Sequence, residues 1–326
     1  MTQNDAIRRI YATVSDEFKA VNACILQQLH SDVALVEQIG HYIIDAGGKR
    51  LRPLLVLLSA GACGYNGDRH TPLAAIIEFL HTATLLHDDV VDESELRRGR
   101  STANDRWGNA PSVLVGDFLY SRAFQMMVAI GDMDVMATLA NATNVIAEGE
   151  VMQLMNIHEP DITEQQYMEV IRCKTAMLFE ASTHTAALLA EASAEQIKAL
   201  QNYGNHLGLA FQLVDDLLDY TGDSETMGKN VGDDLAEGKP TLPLIQTIIS
   251  GTEQQATLVR QAIENGGLEQ LDSVMEAVRT SGALDYTARR AQEQAEKAIS
   301  AIRILPDTPY RQALIDLAQL SVSRTA

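Results

Sequence analysis

Two strings in this 326-residue sequence carry residues that could do the same chemistry twice: Asp88-Asp89-Val90-Val91-Asp92 and Asp215-Asp216-Leu217-Leu218-Asp219. On a helix the outer aspartates of each string are four residues apart, so Asp88 shares a face with Asp92 and Asp215 with Asp219. Like charges at that spacing weaken a helix. The neighbours are apolar, with Leu85 and Leu86 before the first string and Leu213, Val214, Leu217 and Leu218 around the second. Carboxylates held among such residues need a compensating cation. Neither string supplies a His or Cys, and neither forms the glycine-containing loop of about 12 residues that calcium favours. Hard oxygen ligands on rigid helices suit Mg²⁺, held by few side chains and completed by phosphate oxygens and water.

A phosphate partner is then expected, and the basic residues point to one. Gly47-Gly48 breaks a helix, and Lys49, Arg50 and Arg52 precede Pro53, which the pattern places at the first position of the next helix. Three cations at the positive end of a helix oppose its dipole unless an anion sits among them. Arg97-Arg98-Gly99 follows the first aspartate string, and Lys229 and Lys239 follow the second. Basic groups beside both acidic motifs suggest carboxylate, Mg²⁺, phosphate and Arg/Lys in a bridged arrangement. Gly222 to Lys229 is not a P-loop, because five residues lie between its two glycines, Asn230 follows the lysine and no strand precedes. The serine-hydrolase elbow, the zincin helix and the dinucleotide-binding glycine triplet are all missing.

The elements that must position these groups are helical. Apolar residues recur at three- and four-residue spacing, as in Leu73, Ile76, Ile77, Leu80 and Thr84 or Leu207, Ala210, Phe211, Val214 and Leu218. No sustained two-residue alternation competes, so the reading is all-α. Breaks are predicted at Gly47-Gly48, Gly61 to Asp68, Arg98 to Gly108, Gly131 to Asp134, His158 to Thr163, Gly222 to Gly238 and Asn265-Gly266-Gly267. Thr163 with Gln166 and Ser193 with Gln196 resemble capping boxes.

No linker-like composition divides the chain, so one domain over residues 1–326 is expected. A net charge of −19 argues against a nucleic-acid partner. No basic leader is visible, and no apolar run reaches the length of a membrane span, so a cytoplasmic protein without a transmembrane segment is expected. Cys24, Cys63 and Cys173 read as reduced core residues.

Gly47-Gly48-Lys49-Arg50-Leu51-Arg52-Pro53, Leu86 to Asp92 with Arg97-Arg98-Gly99, Gly116-Asp117-Phe118-Leu119, Lys174-Thr175, Phe211 to Asp219 and Lys239-Pro240-Thr241 stand in a recognisable order. In that order they resemble the trans-polyprenyl diphosphate synthase family. The resemblance implies an all-α bundle around a deep cavity, with the aspartate motifs facing each other across its mouth. Asp88, Asp92 and Asp215, and Asp219 through water, would hold Mg²⁺ on an allylic diphosphate, with Arg97, Lys174, Lys229 and Lys239 as further ligands. Lys49, Arg52, His81 and Arg98 match the isopentenyl diphosphate site. Lys174, Thr175 and Gln212 would act at the reacting allylic group, the oxygens of Thr175 and Gln212 stabilising a transient carbocation.

The resemblance further implies a homodimer, for which the apolar helix Val113 to Ile130 could supply an interface, and transient membrane contact for product release. Small residues below the first motif, Ala83 and Thr84, would let a growing chain pass, with Met127 and Leu139 as candidates for the floor. The product expected by resemblance is long, of octaprenyl length, as for a quinone side chain. Three alternatives stand beside this reading. A synthase of other product length shares every motif. A class I terpene cyclase typically carries an Asn/Ser/Glu triad in place of the second aspartate motif, and a non-catalytic subunit of a heteromeric synthase would have eroded aspartates.

Overall fold

The structure, a computed structural model, describes residues 3–221 and 232–323. Helix dominates, as the periodicity predicts. The chain forms α1 (Gln3–Thr13), α2 (Ser15–Gln28), α3 (Ala34–Asp45), α4 (Leu51–Ala62), α5 (His70–Val91), α6 (Ala103–Trp107), α7 (Asn109–Ile130) and α8 (Met133–Asn156). There follow α9 (Glu164–Ile171), α10 (Met177–Leu189) and α11 (Ala194–Thr221), then helices Asp233–Ala236, Leu242–Ser250, Glu253–Asn265, Leu271–Thr280, Ala283–Ala301 and Pro309–Ser323. Among the described residues the only β structure is an antiparallel pair, β1 (Leu96–Arg97) and β2 (Arg100–Ser101). Strands of two residues are too short to register as alternation. Arg98 and Gly99 turn between them, both at positive φ (54° and 71°), the backbone of a two-residue hairpin loop.

The chain groups into two compact units: residues 1–143, 178–204 and 299–317, and residues 144–177, 205–298 and 318–326. Each boundary falls inside a helix, which is why no linker composition marks it. In the first unit α5 packs against α2, α4 and α7, burying Leu73, Ile76, Ile77, Phe79, Leu80, Ala83 and Leu86. Each large side chain so buried contributes about 1.5–3 kcal/mol. A like-charge pair four residues apart costs only about 0.2–0.5 kcal/mol. Packing therefore wins, and the helix continues through the aspartate string to Val91, with Asp92 as its C-cap.

In the second unit, Tyr167, Ile171, Leu209, Leu213, Val214, Leu218, Leu242 and Ile245 form one core cluster. Tyr220, Leu235, Leu244, Val259, Ile263, Val274 and Val278 form another. Thr163 and Gln166 make the expected reciprocal cap on α9. Ser193 and Gln196 do so before α11. A third capping box, Thr252 with Gln255, was not foreseen.

Two expectations need correction. α4 begins at Leu51, so Pro53 is its third residue; proline fits anywhere in the first turn, whose N–H groups have no intrahelical partner. Cys24 and Cys63 are half-buried, and Cys173 alone is buried. Among the described residues one helix, α7, has the length and apolar composition of a membrane span, a test that a packed core helix also passes. It packs against α5 and is held to α2 by Arg122, which donates to the Gln28 carbonyl at 2.7 Å.

Candidate active site

In the first unit the basic loop is shaped by backbone that ordinary residues avoid. Gly47 and Gly48 sit at φ 78° and 131°, and Arg50 enters α4 at φ 42°. At φ 131° Gly48 holds a backbone that side chains rarely adopt, and a Cβ there would also lie 2.7 Å from the Arg98 guanidinium and push it aside. Arg52 Nη1 meets His81 Nε2 at 3.1 Å, and the same guanidinium stacks 4.5 Å over the Phe179 ring. Burial, reinforced by Arg52, Arg98 and Arg97, pushes His81 well below the usual imidazole range. His81 is therefore neutral and accepts from Arg52 through Nε2, orienting the guanidinium without adding charge. Burial also brings Arg52 down to about 10, against the opposing pull of Glu78.

Glu78 is a residue that sequence reasoning missed. It is buried one turn before His81, with Oε2 lacking a hydrogen-bond partner. Burial raises it, while Arg50, Arg52 and Arg98 hold it down. It supplies the carboxylate that makes clustered arginines tolerable in a half-buried place. The signal was available: a lone acid on the most apolar stretch of α5.

Asp88 and Asp92 lie in the last turn of α5, where the negative end of the helix dipole adds to their mutual repulsion. Both features favour a bound cation. The middle residue, Asp89, turns inward and takes Arg97 on Oδ1, from Nε and Nη2 at 2.7 Å. Its Oδ2 is buried without a partner. Burial nevertheless raises Asp89, with Arg97 opposing. The hairpin thus places Arg97 against the aspartate motif and Arg98 against Gly48.

In the second unit the chain between α9 and α10 winds as a π-helix, Arg172–Ala176, which carries Lys174 and Thr175. A single wide turn of this kind often marks a functional site. Gly149 lets α8 approach it, since a Cβ there would stand 2.7 Å from the Lys174 nitrogen. Lys174 Nζ pairs with Glu150 at 2.6 Å, and Lys239 pairs with Glu237. Lys229 lies outside the described residues.

Thr175 Oγ1 donates to Gln212 Oε1 at 2.9 Å, and Gln212 Nε2 donates to Asp216 Oδ1 at 2.8 Å. Tyr167 donates its hydroxyl to Asp216 Oδ2. Asp216 is buried, and burial, with Asp234 and Asp215 nearby, raises it while the Tyr167 and Gln212 hydrogen bonds lower it. Asp215 is half-buried and Asp219 is buried on the same helix. Among the described residues no three His, Cys, Asp or Glu side chains converge on one point. A metal on either motif would therefore complete its shell with phosphate oxygens and water, which suits the all-carboxylate donor sets and Mg²⁺. Ala83, Met127 and Leu139 are fully buried in the first unit, and Thr84 is half-buried with its hydroxyl donated to the His81 carbonyl at 2.8 Å.

Residues 33–280 match the profile of the polyprenyl synthetases. The chain belongs to the polyprenyl synthetase family. This polyprenyl synthetase is 56% identical to the octaprenyl diphosphate synthase of Escherichia coli K12, over 98% of this chain and 99% of that one. It is 50% identical to an all-trans-nonaprenyl-diphosphate synthase of Rhodobacter capsulatus, over 97% of each. Its fold superposes on a polyprenyl synthase from Caulobacter crescentus complexed with calcium and isoprenyl diphosphate, with a TM-score of 0.95, 45% identity and 98% coverage of each chain. The polyprenyl synthetase is an all-α prenyltransferase that carries out trans-prenyl chain elongation. Enzymes of the family depend on Mg²⁺.

Proposed function

We propose that this chain, as one domain over residues 1–326, condenses isopentenyl diphosphate with an allylic diphosphate, farnesyl diphosphate as primer, to make octaprenyl diphosphate for quinone side chains. The observation that carries this reading is the near full-length identity to octaprenyl diphosphate synthases with both aspartate motifs and the basic loop intact. Asp88, Asp92, Asp215 and Asp219 would hold Mg²⁺ on the allylic diphosphate. When bound, the metal supplies Lewis-acid neutralisation of the departing diphosphate.

The chain's own residues do the rest. Arg97, Lys174, Lys229 and Lys239 bind the allylic diphosphate and offset its charge as the C–O bond ionises. Lys49, Arg52 and Arg98 bind the isopentenyl diphosphate, with neutral His81 orienting Arg52. The oxygens of Thr175 and Gln212 turn fixed dipoles toward the allylic cation. The isopentenyl double bond attacks that cation, and the proton lost passes to the departing diphosphate, so no protein base is assigned. The growing chain passes Ala83 and Thr84 and stops at Met127 and Leu139.

We further propose a cytoplasmic homodimer built on α7, whose Leu114 and Val128 are exposed apolar residues, with transient membrane contact during product release. Incubation of the purified chain with farnesyl diphosphate, isopentenyl diphosphate and Mg²⁺, followed by mass analysis, tests the reading. Octaprenyl product is expected. Nonaprenyl or decaprenyl product would reassign the length, and a cyclic hydrocarbon or no product would overturn the reaction.

A second expectation separates the two diphosphate sites. Arg52→Ala removes the guanidinium held by His81 and Phe179, and should raise the Michaelis constant for isopentenyl diphosphate about tenfold or more, the worth of one charge-assisted contact. The constant for the primer should stay within about twofold on the same grounds. Equal effects on both substrates would reject the assignment.

A further inference from the structure

We propose that Tyr167 and Asp216 form a positioning pair that fixes which end of the Gln212 amide faces Thr175, and so sets the sign of the dipole presented to the allylic cation. This deepens the reading above and rests on it. An amide can sit either way round in the same density of contacts, with oxygen or NH₂ outward, and the two choices act oppositely on a carbocation. The hydrogen bonds decide between them. Asp216 Oδ1 accepts from Gln212 Nε2 at 2.8 Å, which commits Oε1 to the Thr175 side, where it accepts from Oγ1 at 2.9 Å.

Tyr167 makes that choice secure. Its hydroxyl donates to Asp216 Oδ2 and so pins the rotation of the carboxylate, which keeps Oδ1 aimed at Gln212 Nε2. Without Tyr167 the carboxylate is free to turn away from Gln212, and the amide loses the contact that fixes which end faces Thr175. Tyr167 is 5% exposed and Asp216 2%, so water does not readily replace the hydroxyl. The pair reaches across 49 residues of sequence, joining α9 to α11, and the π-helix that carries Thr175 begins directly after α9.

The test compares two ligands on each protein with Mg²⁺ present: an allylic diphosphate analogue bearing a protonated amine at the carbon that becomes cationic, and its neutral carbon isostere. The wild-type chain should bind the ammonium analogue about tenfold or more tightly over the isostere, as expected for a mimic of the cationic state. Tyr167→Phe should bring that ratio toward parity while leaving the isostere's dissociation constant within about twofold and lowering kcat more than it raises either KM. Because the ratio compares ligands on one preparation, a smaller folded fraction cancels.

Gln212→Leu removes the dipole, and adding Tyr167→Phe to it should change the ratio no further, the signature of residues acting in series. A wild-type ratio in Tyr167→Phe, or additive losses in the double variant, would overturn the positioning role alone. A wild-type ratio in Gln212→Leu would overturn the reading of Gln212 on which it rests.

Discussion

Replacing Asp88 or Asp215 with alanine is expected to lower turnover by about three orders of magnitude or more, a loss of roughly 4 kcal/mol of transition-state stabilisation, while the helical fold stays intact. For Asp88 the two halves of that expectation come from different features of α5. Asp88 sits in the last turn with its side chain half-exposed, and the core of the helix is built from residues such as Leu80, Ala83 and Leu86 that the change does not touch. Alanine is the best helix former, and its introduction relieves both the repulsion with Asp92 and the clash with the helix dipole. The melting temperature of Asp88→Ala should therefore hold or rise as activity collapses. Circular dichroism and steady-state kinetics on the same preparations check both halves. Near-normal turnover in either variant would rule out paired carboxylate motifs as the source of leaving-group stabilisation. A falling melting temperature would mean that the aspartates are structural.

Much of this site was legible because it is local. Asp88 with Asp92, and Asp215 with Asp219, are defined by four-residue spacing, and the apolar flanks that make them costly are adjacent in sequence. Arg52 and His81 were legible only as matches to a family pattern, since nothing in 29 residues of separation says that one orients the other. What escaped was what geometry alone creates. The π-helix at Arg172–Ala176 widens one turn without disturbing the apolar pattern on either side. The hairpin that aims Arg97 and Arg98 uses two-residue strands, below the reach of any periodicity. Tyr167 carries no local sequence signal, and only the fold brings its hydroxyl to Asp216, 49 residues away. Asp89 and Asp216, read simply as middle members of their strings, turn out to face inward, one binding Arg97 and the other Gln212. In both motifs the middle aspartate braces a neighbouring side chain, while the outer aspartates are the ones proposed to hold the cation.

The largest expected change in what the enzyme makes, as opposed to how fast, comes from Ala83→Tyr, which should shorten the product toward about three to four isoprene units by filling space that a chain needs. Ala83 lies five residues before Asp88, about 7.5 Å back along the helix axis at about 1.5 Å per residue. On the proposed path a ring there would stand between the reacting diphosphate and Met127 and Leu139, the floor proposed for the wild-type product. Thr84 supports a path of this kind. Its hydroxyl is spent on the His81 carbonyl, so the polar atom is satisfied within the helix and the methyl is what remains for a hydrocarbon. Ala83 itself is fully buried, so tyrosine must take up space now filled, at a cost of about 1–3 kcal/mol where the surroundings cannot yield. A modest drop in melting temperature is expected alongside the shorter product. Met127→Ala should act in the opposite direction, lengthening the product modestly by opening the floor. Mass analysis of the products of both variants, made with the same primer, decides the matter. An active Ala83→Tyr enzyme that kept the wild-type length distribution would show that the chain grows along some other face of the bundle, and the roles proposed for Asp88 and Asp215 would stand apart from that result.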